Sequence, residues 1–218
     1  MKKSKILLLT LCAALLVTAT ILGTLAFLTS RDTVENTFTV GKVEITLDET
    51  AVTPDGKAKP GADRVKENDY HLIPGMTYTK DPTVTVVKGS EQTYVRMLVT
   101  VSCMKELDAL FAPTGADLLT IFNGYDANTW LYQGVDRDEN ANTVTYEFRY
   151  KSTVTPTATE DTELEALFDS ITVPGAFDGD DMATIANMKI TVVGHAIQAA
   201  GFADADEAWV AFDGQIGG

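Results

Sequence analysis

The chain has 218 residues, 45% of them hydrophobic and 8% aromatic, enough for one well-packed domain beyond an export segment. Its 17 Lys and Arg stand against 31 Asp and Glu, a formal net charge of -14, and three of the cations (Lys2, Lys3, Lys5) fall in the first five residues. A surface this acidic repels nucleic acid and anionic lipid and suits only loose cation binding.

The amino terminus reads MKKSK and is followed by an uncharged run from Ile6 to Ser30. The basic start, the apolar stretch Ile6–Leu22 and the small residues Thr24 and Ala26 at −3 and −1 predict a signal peptide over residues 1–26, cut between Ala26 and Phe27 or within two residues of that bond. A retained anchor is the rival reading, because the run is long enough to span a bilayer. No basic stop-transfer cluster follows it, since Arg31 stands alone beside Asp32. Leu11 is too bulky for a lipoprotein cleavage box ahead of Cys12. The product is therefore expected to be secreted, touching membrane only through the uncleaved signal. One cysteine then remains, Cys103, which forms no internal disulfide, so apolar burial must hold the domain. Cys103 continues the alternation Val95, Met97, Val99, Val101, which predicts a buried, inert thiol. An intermolecular disulfide or a reactive thiol is the functional alternative.

Phe27–Asn36 (FLTSRDTVEN) is polar, mixed in charge and without a core-like pattern. Phe38 and Val40 alternate, Gly41 breaks the phase, and Val43, Ile45 and Leu47 resume it, which predicts a β-bulge between two strand halves. Ala51–Asn68, with Pro54, Gly56, Pro60 and Gly61, is expected to be a mobile loop. After the Pro74-Gly75 turn, Met76–Lys80, Thr83–Lys88 and Tyr94–Ser102 read as strands, with a turn over Lys88–Glu91. Lys105–Leu110 and Asp117–Phe122 read as short helices. Trp130–Val135 and Val144–Lys151 flank the turn segment Asp136–Asn142 as a hairpin. Glu163–Phe168 reads as a short apolar turn before the strand Ser170–Val173. Asp180–Asn187 reads as a short helix with Asp180 or Asp181 near its start, and Met188–Ile197 as a strand. Asp204–Phe212 is expected to be an amphipathic helix with Trp209 and Phe212 on one side.

Short strands, polar turns and no long helices between them predict an all-β, antiparallel β-sandwich with a few short helices. Four regions follow: a signal peptide (1–26), a leading segment (27–36), the β domain (37–203) and a C-terminal helix or tail (204–218). Sandwiches have edges with unpaired N–H and C=O groups. A ten-residue segment spans roughly 33 Å when extended, enough to add a strand to such an edge. A joint of that kind is heterologous and builds an open filament.

The stretch GTLAFLT followed by TVENTFTVGKVEITLDE resembles the TasA/camelysin family of exported proteins of Gram-positive bacteria. IPGMTYTKDPTVTVVKGSEQTYVRMLVTV, VPGAFDGDDMATIANMKITVVGHAIQAAGF and Glu207–Trp209 extend the resemblance over most of the chain after the signal. It implies cleavage by a SipW-type signal peptidase, a jelly-roll domain, and assembly into biofilm matrix fibres at the cell surface or in the extracellular matrix. Other matrix proteins are possible companions. In those fibres the new amino terminus is donated as a strand to the next subunit. By position the donor is Phe27, Leu28, Thr29, Ser30, Arg31, Asp32, Thr33, Val34, Glu35 and Asn36. The Ala51–Asn68 and Ala109–Thr129 stretches do not map onto the family.

Some family members are labelled metalloendopeptidases, so a zinc site is the enzymatic alternative. Such a site needs about three protein ligands and a general base. The chain offers His71 and His195, without the HExxH spacing that sets two imidazoles on one helical face. No nucleophile elbow and no glycine-rich phosphate loop occurs. Asp136, Asp138, Asn140 and Asn142 alternate, with Glu147 further on, as oxygen donors do in a calcium loop. Ala141 stands where such a loop needs glycine, Glu147 falls in a predicted strand, and a plain hairpin turn selects the same residues. No catalytic residue and no obligate cofactor is expected, and calcium or zinc are the ions to weigh. The functions left standing are a self-assembling matrix subunit, a cell-surface metallopeptidase, and a surface or spore-coat component that does not polymerise.

Overall fold

The computed structural model describes residues 3–5, 8, 10–15 and 41–216. The chain divides into two units, Met1–Val40 and Gly41–Gly218. In the first, residues 3–5, 8 and 10–15 are helical and exposed. Among the described residues no helix is long and apolar enough to cross a membrane.

The second unit is all-β, built from antiparallel sheets with a few short helices. Its strands are β1 (Ile45–Asp48), β2 (Thr77–Thr79), β3 (Thr83–Val86), β4 (Thr93–Ser102), β5 (Phe122–Asn123), β6 (Trp130–Asp138), β7 (Thr143–Tyr150), β8 (Thr162–Glu163), β9 (Ser170–Thr172) and β10 (Ile190–Gln198). Three helices, α1 (Met104–Phe111), α2 (Gly179–Thr184) and α3 (Ala205–Ile216), and a 3-10 turn at Leu118–Ile121 complete it. The central sheet runs β10-β4-β7-β6, and two smaller sheets run β1-β3-β8 and β2-β9-β5.

Period-two patterning explains the central sheet. Val95, Met97, Val99 and Val101 of β4 lie beside Phe148, Tyr146 and Val144 of β7, and all are buried in one apolar cluster. Burying each such side chain fully stabilises the fold by roughly 1.5–3 kcal/mol. Val84 and Val86 of β3, Tyr78 of β2 and Ile171 of β9 close that cluster from the other layer. Gly194 of β10 sets the spacing there, because a Cβ at that position would sit 3.1 Å from Val84 and 3.5 Å from Ile45. The two smaller sheets are one ribbon with a break. Leu164 N–H donates to Val84 C=O, Leu167 N–H to Pro82 C=O and Lys80 N–H to Asp169 C=O, bridging β3-β8 to β2-β9. Pro82 has no N–H to give, and the regular ladder lapses around it.

Several expectations change. Ala51–Asn68 is a loop but is tied down rather than mobile: Val52 and Ala58 form an antiparallel bridge, as do Glu49 and Val65. Asn68 accepts from Val52 N–H and donates to Thr50 C=O. Arg64 donates to Asp81 and to Thr83 and is paired with Asp48. Beneath the loop, Lys80 and Glu49 form a buried ion pair at 2.5 Å. Composition marks such a stretch as irregular but is blind to the partners its polar groups find.

Cys103 does not extend β4. It takes the left-handed conformation (φ 59°) as the residue before α1, and is half-buried against the core. The buried alternation ends at Val101, because the chain must turn into α1 there. Asp180 and Asp181 stand in the first turn of α2, as expected, and Asp178 ahead of them caps it, accepting from Asp180 N–H and Asp181 N–H while Asp181 reaches back to its N–H. Glu163–Phe168 is not only a turn, since Glu163 pairs with Thr85 in β8. The short strand β5 carries too few residues to show a period. Gly41 is not in a strand, and the bulge expected there involves residues 38–40, outside the described ones. The bulge the structure does contain is in β6, between Tyr132 and Gly134.

Candidate functional site

Two places stand out in the β domain: the rims of the central sheet, and a buried arginine beneath α3. The proposed cleavage point Ala26/Phe27 and the proposed donor Phe27–Asn36 lie outside the described residues. The described chain resumes at Gly41, where Glu91 N–H donates to Lys42 C=O and Val87 N–H to Glu44 C=O. Residues 42–44 thus run along Val87–Glu91 before β1 begins.

The four residues of the possible calcium loop do not share one loop. Asp136 and Asp138 lie in β6, opposite Thr145 and Thr143. Asp138 accepts from the N–H groups of Asn140 and Ala141, closing the hairpin turn. Asn142 takes the left-handed conformation (φ 55°), accepts from Lys105 N–H and donates to Glu106, so it serves the start of α1. The Glu147 carboxylate accepts from Arg149 Nε at 2.6 Å and lies 3.6 Å from Arg96. His71 is exposed and engaged through its backbone, its carbonyl accepting from the Tyr78 hydroxyl. His195 lies in β10 against Phe212 of α3, ring centroids 4.7 Å apart. Among the described residues no three His, Cys, Asp or Glu side chains gather closely enough to hold a metal ion.

Arg96 is the group that sequence patterning passes over. The alternation that buries Val95 and Met97 turns Arg96 outward, yet it is only 3% exposed, because α3 covers it. Both guanidinium ends donate to Asp213, the second at 3.2 Å. Nε donates to His195 Nδ1 at 3.2 Å, and the plane sits 4.5 Å from the Trp209 ring centre and 5.2 Å from that of Phe212. Arg149 beside it reaches Asp206 of the same helix. Cation–π stacking and a forked carboxylate contact therefore hold α3 to the sheet, with a small apolar cluster of Ile197, Ala208 and Trp209. The Trp209 indole N–H is buried and finds no acceptor among the described residues.

Electrostatics follow from this packing. Burial, then the neighbouring Arg96, holds the His195 imidazole below its usual value of 6.5, against the opposing pull of Asp213 and Glu147. The hydrogen bonds from Arg96 hold the Asp213 carboxyl below its usual 3.8. A neutral imidazole accepting from a guanidinium is a structural contact. A groove of about 370 Å³ runs beside it, lined by Arg96, Leu98, Gln133, Gly134, Glu147 and Asp213 among others.

The rims of the central sheet differ. β6 pairs with β7 alone and β10 with β4 alone, so each has one outer side without a described strand partner. At the start of β6 that side is sealed: the Tyr125 hydroxyl donates to Trp130 C=O and accepts from Tyr132 N–H. Beyond the bulge it is not sealed among the described residues, and Tyr132 and Val135 are 42% and 49% exposed. Family models, curated proteins and solved structures yield no match to this chain.

Proposed function

We propose that this protein is a secreted structural subunit, trimmed by a signal peptidase and assembling into extracellular fibres by donating its new amino-terminal segment to the next copy. The observation that carries the reading is the pairing of a polar, strand-length segment, residues 27–36, with a β domain whose central sheet has two nine-residue border strands. Backbone groups supply most of the energy in such a joint, so the donor needs no apolar repeat. The resemblance of the junction to the TasA/camelysin family supports the same reading and gives its finer terms: a jelly-roll arrangement of the sheets, a SipW-type peptidase, and a biofilm matrix outside a Gram-positive cell. The distribution of charge supports it as well, since a strongly acidic subunit stays soluble until a directed contact joins it to another.

In this reading cleavage licenses assembly, because a donor still attached to its signal is held at the membrane and cannot thread into a neighbour. The test is a comparison of the trimmed protein with a variant lacking residues 27–36. The shortened protein is expected to keep its circular dichroism spectrum and melting temperature and to form no fibres in electron micrographs. Fibres formed equally by both proteins would discard the donor.

A further inference from the structure

We infer that the receiving surface is the outer side of β6 beyond its bulge, and that its occupant is residues 27–36 of a second copy. The inference rests on the donor reading above and adds where the donor goes. In an antiparallel ladder, alternate residues turn their N–H and C=O toward one neighbour and then the other. The Tyr125 hydroxyl bonds Trp130 C=O and Tyr132 N–H on the side away from β7, which fixes the alternation for the start of β6. Lys151 N–H donates to Thr129 C=O on the β7 side, in agreement. The bulge between Tyr132 and Gly134 adds one residue, so the outward set continues at Val135 and Arg137, opposite Tyr146 and Val144. The N–H and C=O of Val135 and Arg137 thus point away from the sheet, with no hydrogen-bond partner among the described residues.

β10 is the competing border, and its surroundings disfavour a polar guest. By the same alternation its outward groups belong to Val192, Gly194 and Ala196; the Val192 and Ala196 side chains pack on the core, and Gly194 lies close against Val84 of β3 and Ile45 of β1. Its other face lies against α3. A strand added there would have one face against apolar side chains, and residues 27–36 carry no apolar repeat to match. Residues 135–138 of β6 are exposed, with Arg137 ion-paired to Asp108 of α1, and a border so lined suits the polar sequence FLTSRDTVEN. The exposed tail of β6 reads Asp136, Arg137, Asp138, charges that discourage random edge pairing; with Arg137 held by Asp108, Asp136 and Asp138 can meet Arg31 of the donor.

Proline at position 135 tests the assignment. It removes an N–H that β7 does not use, and border strands tolerate proline at such a position. The trimmed Val135→Pro protein is expected to melt like the parent as a monomer and to lose fibre formation. Hydrogen exchange of the unaltered protein supplies a readout without any variant: in fibres the Val135 and Arg137 amides should exchange about tenfold slower or more than in the monomer. If fibres need residues 27–36 while those two amides stay unprotected and Val135→Pro assembles normally, the β6 assignment falls and the donor reading survives. If fibres form without residues 27–36, or the trimmed parent never assembles, both fall.

Discussion

The two borders of the central sheet are finished in opposite ways. β10 is roofed on both sides: Gly194 admits Val84 and Ile45 on one face, and α3 clamps Arg96 and His195 on the other. β6 has no strand partner on its outer side past Tyr132 among the described residues, while the Tyr125 hydroxyl and the Asp126 carbonyl seal its start. The contrast teaches that covering a border costs this fold a helix and a buried guanidinium, and that it does so on one side only. Alteration at β10 should therefore be felt in the monomer, and alteration at β6 only between monomers.

The largest expected effect is at the clamp. Arg96→Ala leaves Asp213 without its cation, Glu147 with Arg149 alone and Trp209 without its stacking partner, and should cost about 3 kcal/mol in denaturant unfolding. A loss of less than about 1 kcal/mol would show that α3 does not depend on it. Next comes Gly194→Val, which forces a branched side chain toward Val84 and should cost about 1–3 kcal/mol in the same measurement. Acid should act more gently and at the same border. His195 binds its proton less readily folded than unfolded, so its contribution is complete above the unfolded value of 6.5 and is lost as pH falls from there through the lower folded value. Protonation removes the acceptor for Arg96 Nε and sets a second cation beside it, with Asp213, Glu147, Arg149 and Asp206 as the other charged groups around it. Asp213 is also depressed, so its contribution goes only in stronger acid, below 3.8. Trp209 fluorescence should report loosening of α3 in the first window, and His195→Gln should flatten that step. The smallest monomer effect is at β6, where Val135→Lys should shift stability by no more than about 0.5 kcal/mol. A larger shift there would mean that the monomer does rely on its bare border.

The residues explain what could be read ahead and what could not. The strands β4, β7 and β10 announce themselves through alternation, because one face of each meets a continuous core. The same alternation puts Arg96 on the outer face correctly and then misleads, since nothing local tells that residues over a hundred positions later will cover it. The outer end of β6 was expected to be a turn because Asp136 and Asp138 are turn-forming types. Their pairing with Thr145 and Thr143 carries the strand through them, and only three-dimensional register reveals it. Of the candidate assembly site, the donor segment was legible as composition and the border that receives it was not, because an exposed strand carries no buried face to betray its parity.

The pinned excursion between β1 and β2 has its own consequence. Lysines, prolines and glycines there spell out a stretch that a trypsin-like enzyme would cut first in a loose chain. Its bonds to Asp48, Asp81 and Thr83 through Arg64, and the Lys80–Glu49 pair underneath, instead require part of the sheet to open before the backbone around Lys57 and Lys66 can straighten into a protease cleft. Digestion of the folded protein should leave this region intact until the sheet itself opens.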